Sequence, residues 1–438
     1  MQPRHAAAQT NRPSRHLRRI RRRRAGKIVA TVVVSTMLAA FVAVGERIRQ
    51  LDANISSLTG VEELLKGRPT PKATTTAPAA PGDPFGGKAV NILIVAVDTR
   101  SGDNADIAGD HLESQLNDVN MVAHISADRS RVDIMSIPRD TMAPMSECTR
   151  LDGTVASANS DRQINEAFSK ASQWNWEEGK TAGMACVVQT IEDLTGIYMD
   201  SYILVDFAGF AGVVDGLGGV DLCLPEGLTS RKARLNLEPG MHSLNGRTAL
   251  QVARTRSGSN YWGKSLDGSD LSRINRQQQL IAAVINETLQ AATLTRIGDL
   301  NKAATAITQS LYIGPGLDSV TALAGLAYSL RKIDPARISL FMVPVVGDGM
   351  RVRLAQSSTG KLDGATAAEV FEDLAWDRPV PGTAAYKALH PDPTTGPSAG
   401  ASPGTSPSAS PDTGATEPND EIVTPSRVPA TCEVVGQG

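Results

Sequence analysis

Four arginines, Arg254, Arg256, Arg273 and Arg276, fall within 23 positions and run directly into Gln277, Gln278 and Gln279. A guanidinium grips phosphate oxygens through two parallel hydrogen bonds and never loses its charge. Several of them converging predict a polyanionic ligand, with a pyrophosphate the foremost candidate. The bland alternative is a solvated basic face, since surface charge is common. DLSRINRQQQL (Asp270–Leu280) reads as the start of a helix, because Ile274, Ile281, Val284, Ile285 and Leu289 recur at helical spacing and Asp270 or Ser272 can cap it. On that helix Arg273, Arg276, Gln277 and Leu280 share one face. Arg254 and Arg256 are two apart and point the same way only in an extended segment.

Two carboxylates stand at the ends of apolar runs: Asp98 closes VNILIVAVD and Asp118 precedes VNMVAHI. Acids at strand ends open onto loops, where ligand sites gather. Two of them suit Mg²⁺, a hard cation that takes oxygen ligands and usually a phosphate as well. Turn formation or capping is the competing role for each. SIPRD (Ser136–Asp140) puts Arg139 and Asp140 directly after another buried run, either as a surface ion pair or with Arg139 as a fifth arginine for the anion. DGLGGVD lacks the Lys-Ser/Thr of a phosphate-binding P-loop. No H-E-x-x-H is present and the histidines show no ligand spacing, so a zinc protease has no support.

The elements that must position these residues alternate. Strands are expected at Val90–Asp98, Val119–Ile125, Arg131–Ile137, Ser201–Phe207, Gly219–Leu224 and Ile338–Val345. Helices are expected at Thr181–Thr195, Ala208–Leu217, 291–311, Asp318–Ile333 and Ala367–Leu374. That alternation implies an α/β domain around a central sheet.

The 438 residues carry a net charge of −2, an average that hides a split: ten basic residues precede residue 28, and no acid occurs before Glu46. Such an arm can bind nucleic acid, but Ile28–Gly45 is an uncharged, largely apolar run of 18 residues, about the minimum for a membrane-spanning helix. Arginines before it keep the N-terminus in the cytoplasm. A cleaved signal peptide is the competitor, but its apolar core is normally shorter and no clean small-x-small site follows. The expected organisation is therefore a basic cytoplasmic arm (1–27), an anchor (28–45), a juxtamembrane stalk with a Pro/Thr-rich spacer (46–87), an α/β domain (88–378) and a disordered Pro/Ser/Gly-rich tail (379–438). Cys148, Cys186, Cys223 and Cys432 then lie in an oxidising space. Three pairings are possible and the sequence does not choose among them. The preferred pairing is Cys148–Cys186 with Cys223–Cys432.

Taken in order, NILIVAVDTR, NDVNMVAHI, SIPRDT, INEAF, LTGIYMDSYILVDFAGFAGVVDGLGGVDL, GRTALQVARTR and DLSRINRQQQ resemble the LytR-CpsA-Psr family, over roughly Lys88 to Pro379. The resemblance implies an α-β-α layered domain with a central mixed sheet, held at the cell membrane by a single pass and facing outward. It also implies transfer of a glycopolymer from a polyprenyl-pyrophosphate carrier to a peptidoglycan hydroxyl, leaving a phosphodiester, with Mg²⁺ as cofactor and membrane lipid as neighbour. By position, Asp98 and Asp118 match the family's Mg²⁺-associated aspartates. Arg139, Arg254, Arg256, Arg273 and Gln277 match residues around the pyrophosphate, and Arg100 and Arg276 also fall on family blocks. One departure stands out: the second block usually has an arginine two residues before its aspartate, where this chain has Leu116. A weakened site of that kind suits the alternative of a non-catalytic polyprenyl-pyrophosphate or glycan scaffold. A pyrophosphatase is the third reading. Nucleic acid is not an expected partner. The glycine-rich segment Ser257–Gly268, between the two arginine groups, reads as a lid, an acceptor-binding loop or a tolerated insertion.

Overall fold

A computed structural model describes residues 45–390, apart from 74–75, 102, 109–114, 267–269, 294–303, 307, 350 and 358–361, together with 422–425 and 432. The basic arm and residues 28–44 of the expected anchor lie outside the described residues. Among those described, no helix is long and apolar enough to cross a membrane. Two compact units divide at residue 53. In the first, residues 45–53 are helical; the second holds everything that follows.

A seven-stranded mixed sheet forms the centre. Its strands are β1 (Ser56–Ser57), β2 (Val90–Asp98), β3 (Leu116–Ile125), β4 (Val132–Ile137), β7 (Ser201–Val205), β12 (Tyr312–Ile313) and β13 (Ile338–Met342), in the spatial order β1-β12-β7-β2-β3-β4-β13. β2 pairs parallel with β7 and antiparallel with β3, which is itself antiparallel to β4, and β4 is parallel to β13. Four strands thus finish, and β3 begins, along one rim of the sheet. Alternation along β2 shows why both faces are covered. Leu93, Val95 and Val97 enter one apolar cluster with helix α1 (Trp176–Thr195) and helix α6 (Ala367–Ala375). Val90, Ile92 and Ile94 enter a second cluster, with α4 (Asp270–Thr293) and α5 (Val320–Ser329). The expected α-β-α layering is present.

Smaller pairs surround the sheet: β5 (Met142–Met145) with β6 (Asn159–Gln163), β8 (Val220–Leu224) with β11 (Gly240–Leu244), β9 (Leu228–Ser230) with β10 (Leu235–Leu237), and β14 (Val345–Asp348) with β15 (Arg351–Leu354). Helix α2 (Phe207–Gly216) packs against α3 (Gly246–Arg254), which packs against α4, and α7 (Ala384–Leu389) follows α6. The single strand expected at Ile338–Val345 breaks before Pro344, which has no N–H for a ladder, and Val345 opens a separate hairpin. α1 starts at Trp176, earlier than expected, because the Asn175 side chain caps Glu178 N–H. Of the helix expected at 291–311, residues 291–293 close α4, 304–306 and 308–310 are helical and 311 is not, while 294–303 and 307 lie outside the described residues.

The expected domain boundaries need correction at both ends. Leu58 and Val61 are buried in the first cluster. Arg68, inside the supposed spacer, donates to Glu192, to the Tyr198 hydroxyl and to the Met199 carbonyl. Asp83 forms a buried ion pair with Arg129 at 2.8 Å. A Pro/Thr-rich stretch has no core of its own, yet a few charged anchors dock this one onto the domain. At the other end, Val380 and Ala385 are buried beyond the supposed boundary, and Val423 exchanges both backbone hydrogen bonds with Leu340 of β13. Disulfides join Cys148 to Cys186 and Cys223 to Cys432, the preferred pairing. A buried polar network ties α6 to the sheet. His124 meets Asp377 at 3.0 Å and the Asn91 side-chain oxygen at 2.7 Å, and Arg131 bonds both Asp133 and Asp377.

Candidate functional site

The sheet topology gathers the singled-out residues at the rim where β2, β4, β7 and β13 end. Asp98 is the last residue of β2, and Arg100, two beyond it, clasps both its oxygens at 2.5 and 2.9 Å. In the β2–β3 register Ala96 faces Val119 but Val97 faces Asn117, so Asp118 is the extra residue of a bulge. A bulge re-aims side chains. Here it sends Asn117 into the core, where it is fully buried and donates to the Ile164 carbonyl, and leaves Asp118 to the rim. Arg139 follows β4 and Pro138; its Nη1 meets Asp118 at 2.7 Å and its Nε meets Asp140 at 3.5 Å. Arg139 is therefore no mere surface partner of Asp140. Gln163 holds the other side of Asp140 at 2.9 Å.

Helix α4 approaches from the second face. Arg273, in its first turns, is 2 % exposed and its Nη1 lies 4.0 Å from Asp118. Two guanidiniums from separate elements thus flank one carboxylate. Gln278 donates to the Ser136 hydroxyl of β4 at 3.0 Å in buried surroundings, fixing the helix against the sheet. Arg276 and Gln277 turn toward the end of α3: Arg276 donates to the Thr255 carbonyl at 2.5 Å and Gln277 to the Ala253 carbonyl at 3.3 Å. They share a helix face with Arg273, as expected, and carry the α3 terminus.

Arg254 and Arg256 do not lie on one extended segment. Arg254 is the last residue of α3, Thr255 caps it in a β conformation, and Arg256 stands exposed beyond. Arg254 instead lies over the Phe207 ring, 4.3 Å from its centre, with Arg100 at 5.6 Å from the same ring. Phe207 begins α2 just after β7, and its role in steadying two cations escapes sequence reasoning. The available signal was an aromatic directly after a buried strand at the rim. Asn104 is a second omission: buried, it donates to Asp206 and accepts from Ala208 N–H, tying the segment after Arg100 to the start of α2.

Leu116 pairs opposite Asp98 in the ladder. The guanidinium expected at that position is absent, but Arg100 supplies one to the same carboxylate. Asp98 and Asp118 offer hard oxygen donors of the kind Mg²⁺ accepts beside water and phosphate. Among the described residues, no group of three or more His, Cys, Asp or Glu forms a dedicated metal cage. The donor set therefore fits a cation whose shell is shared with a ligand. What the rim offers chemically is a row of fixed positive charge with two acids inside it, an arrangement that stabilises and orients phosphate oxygens.

The family model LytR_cpsA_psr matches residues 63–369. "Cell wall biosynthesis protein LcpA" of Corynebacterium glutamicum is 29% identical over 272 residues, which are 59% of this chain and 50% of that protein. "Polyisoprenyl-teichoic acid--peptidoglycan teichoic acid transferase TagV" of Bacillus subtilis is 28% identical over 212 residues, 47% of each chain. The chain thus spans about half the length of these relatives. The solved "LytR-Csp2A-Psr enzyme from Actinomyces oris" superposes with a TM-score of 0.51 at 16% identity, covering 74% of this chain and 96% of that one, a likeness of fold. Because the family match runs over well more than half of its length, this chain belongs to the LytR-CpsA-Psr family.

Proposed function

We propose that this protein is a membrane-anchored phosphotransferase that moves a glycopolymer from a polyprenyl-pyrophosphate carrier to a peptidoglycan hydroxyl, leaving a phosphodiester. One observation carries the reading: guanidiniums from the ends of β2 and β4, from α3 and from α4 converge on one rim that also holds Asp98 and Asp118. The relatives' names, a cell wall biosynthesis protein and a teichoic acid transferase acting on peptidoglycan, agree with it.

In the reaction, the acceptor oxygen attacks the glycan-bearing phosphorus in line. The bond from that phosphorus to the bridging oxygen breaks, and polyprenyl phosphate leaves with that oxygen. Charge spreads over the phosphate oxygens in the transition state, and fixed donors aimed there are worth more than donors that must reorganise. Arg273 is best placed to act so, since burial and helix packing hold it still. Arg139 and Arg254 supply further positive charge, and Arg276 and Gln277 position the α3 end that carries Arg254. Asp98 and Asp118 are the two carboxylates of the site suited to receiving the hydroxyl proton. Mg²⁺, held by those carboxylates, would supply additional charge neutralisation on the phosphates.

The test incubates the full chain with a polyprenyl-pyrophosphate glycan, Mg²⁺ and peptidoglycan fragments, following lipid monophosphate release and glycan attachment together. Coupled release and attachment are expected, with losses of at least about 100-fold in Arg273→Ala and Asp118→Ala. Release without attachment would make the protein a pyrophosphatase. Tight donor binding without release would make it a scaffold.

A further inference from the structure

The segment between α3 and α4 is rooted in the site, because the Thr255 carbonyl at its start is held by Arg276. From there the chain runs back along β9. Ser230 donates to the Ser257 carbonyl at 2.7 Å, Ser259 and Thr229 exchange both backbone hydrogen bonds, and Tyr261 N–H donates to the Glu226 carbonyl at 2.9 Å. A tight turn then reverses it. Gly263 N–H reaches the Asn260 carbonyl, Asn260 N–H reaches the Lys264 carbonyl, and Lys264 N–H reaches the Asn260 side chain. Asn260 is buried, Leu266 packs on an apolar cluster that includes Leu228 of β9 and Leu235 of β10, and Gly263 takes the φ of +91° that closes the turn.

This is a built hairpin, and its tip is unusual. The central turn positions, where Pro, Asp, Asn, Ser or Gly normally stand, hold Tyr261 and Trp262. Aromatic residues make up only 4% of the chain, yet two adjacent ones occupy this tip. Tyr261 is 43% exposed, and the two rings meet edge to face with centres 6.2 Å apart. The Tyr261 hydroxyl lies 3.4 Å from the Glu238 carboxylate. Glu226 and Glu238 are both exposed.

We propose that the Tyr261–Trp262 tip binds a sugar ring of the acceptor glycan. The apolar C–H face of the ring stacks on the aromatic pair, and Glu238 and Glu226 accept its hydroxyls. The proposal rests on the transfer reading for the identity of the acceptor, and it makes Tyr261 and Trp262 specificity residues outside the arginine cluster. Charge decides against a lipid surface as the occupant. The basic residues Arg231, Lys232 and Arg234 sit in the opposite turn of the β9–β10 hairpin, whereas at the tip Lys264 is outnumbered by Glu226 and Glu238 at the hairpin root, and anionic headgroups attract basic segments.

Two measurements on the full chain test this. Transfer kinetics at varied acceptor, comparing Trp262→Ala and Tyr261→Ala with wild type, should show the acceptor KM raised about tenfold, with kcat at saturating acceptor and the donor KM unchanged. Trp262→Phe should restore most of the loss. An unchanged acceptor KM, or a rise in the donor KM alone, overturns the proposal. Calorimetric titration with soluble peptidoglycan saccharides needs no turnover. Binding by wild type that weakens in both alanine variants supports the proposal even where transfer fails, and no saccharide binding by wild type overturns it even where transfer proceeds.

Discussion

Replacing Arg68 by Met cuts the most heavily bonded contact between the former spacer and the domain. Its guanidinium meets both oxygens of Glu192, donates to Tyr198 and to the Met199 carbonyl, and lies 4.1 Å from the Tyr198 ring centre. The Glu192 side chain is 0% exposed and that of Arg68 21%. Although burial opposes the charge, Glu192 holds Arg68 above its ordinary pKa. With Arg68 gone, Glu192 keeps the Met199 N–H as a donor but loses its counter-charge. Leaving one member of a buried pair costs about 3–5 kcal/mol, a large share of a typical total of about 5–15 kcal/mol. Adding Glu192→Gln removes the stranded charge, so the double variant should recover most of that loss, to within about 1–2 kcal/mol of wild type. Urea unfolding of both single variants and the double makes the measurement. A single-variant loss below about 1 kcal/mol, or additive losses in the double, would refute the docking of this segment through its charge.

Three further outcomes are expected. Burial raises Asp133 to about 7, against the opposing charge of Arg131. A carboxyl so raised stabilises the fold below its unfolded pKa, near 4, and loses that contribution as the pH climbs to 7, so Asp133→Asn should flatten the stability profile between pH 4 and 7; parallel profiles would contradict this. Cys148→Ser opens a loop with a sequence separation of 38 and should cost about 3–4 kcal/mol in the chain-entropy model, read by thermal unfolding with and without reductant. Phe207→Leu keeps the volume roughly constant but removes the ring beneath Arg254 and Arg100, and should raise the donor KM several-fold with little change in thermal midpoint.

Much of the site was legible because its residues follow obvious element boundaries. Asp98 ends an apolar run, Arg139 follows a proline, and Arg273 and Gln277 keep helical spacing. Asp118 was legible as an acid, but the bulge that sends it to the rim and Asn117 to the core was not, since nothing in NDVNM marks which residue is extra. Arg254 and Arg256 were legible as cations but not in their placement: two-residue spacing aligns them only in an extended segment, while the N-cap at Asn245 and the pattern through Val252 carry a helix to Arg254. The spacer and tail defeated a compositional reading, because Arg68, Asp83 and Val423 act through partners far away in sequence. Phe207 was hidden for the same reason, its importance lying in which cations the topology lays over it.

The flanking strands of the central sheet carry a consequence for how copies of the protein meet. On one side the outermost strand, β1, is only two residues long. On the other, the backbone of Leu340 is already engaged by Val423 from the distant C-terminal segment. Unpaired strands invite a second chain to continue the ladder, and natural proteins blunt them by shortening or covering them. This chain uses one device on each side. Copies of the domain brought close together are thereby denied a ready ladder on which to grow sheet to sheet.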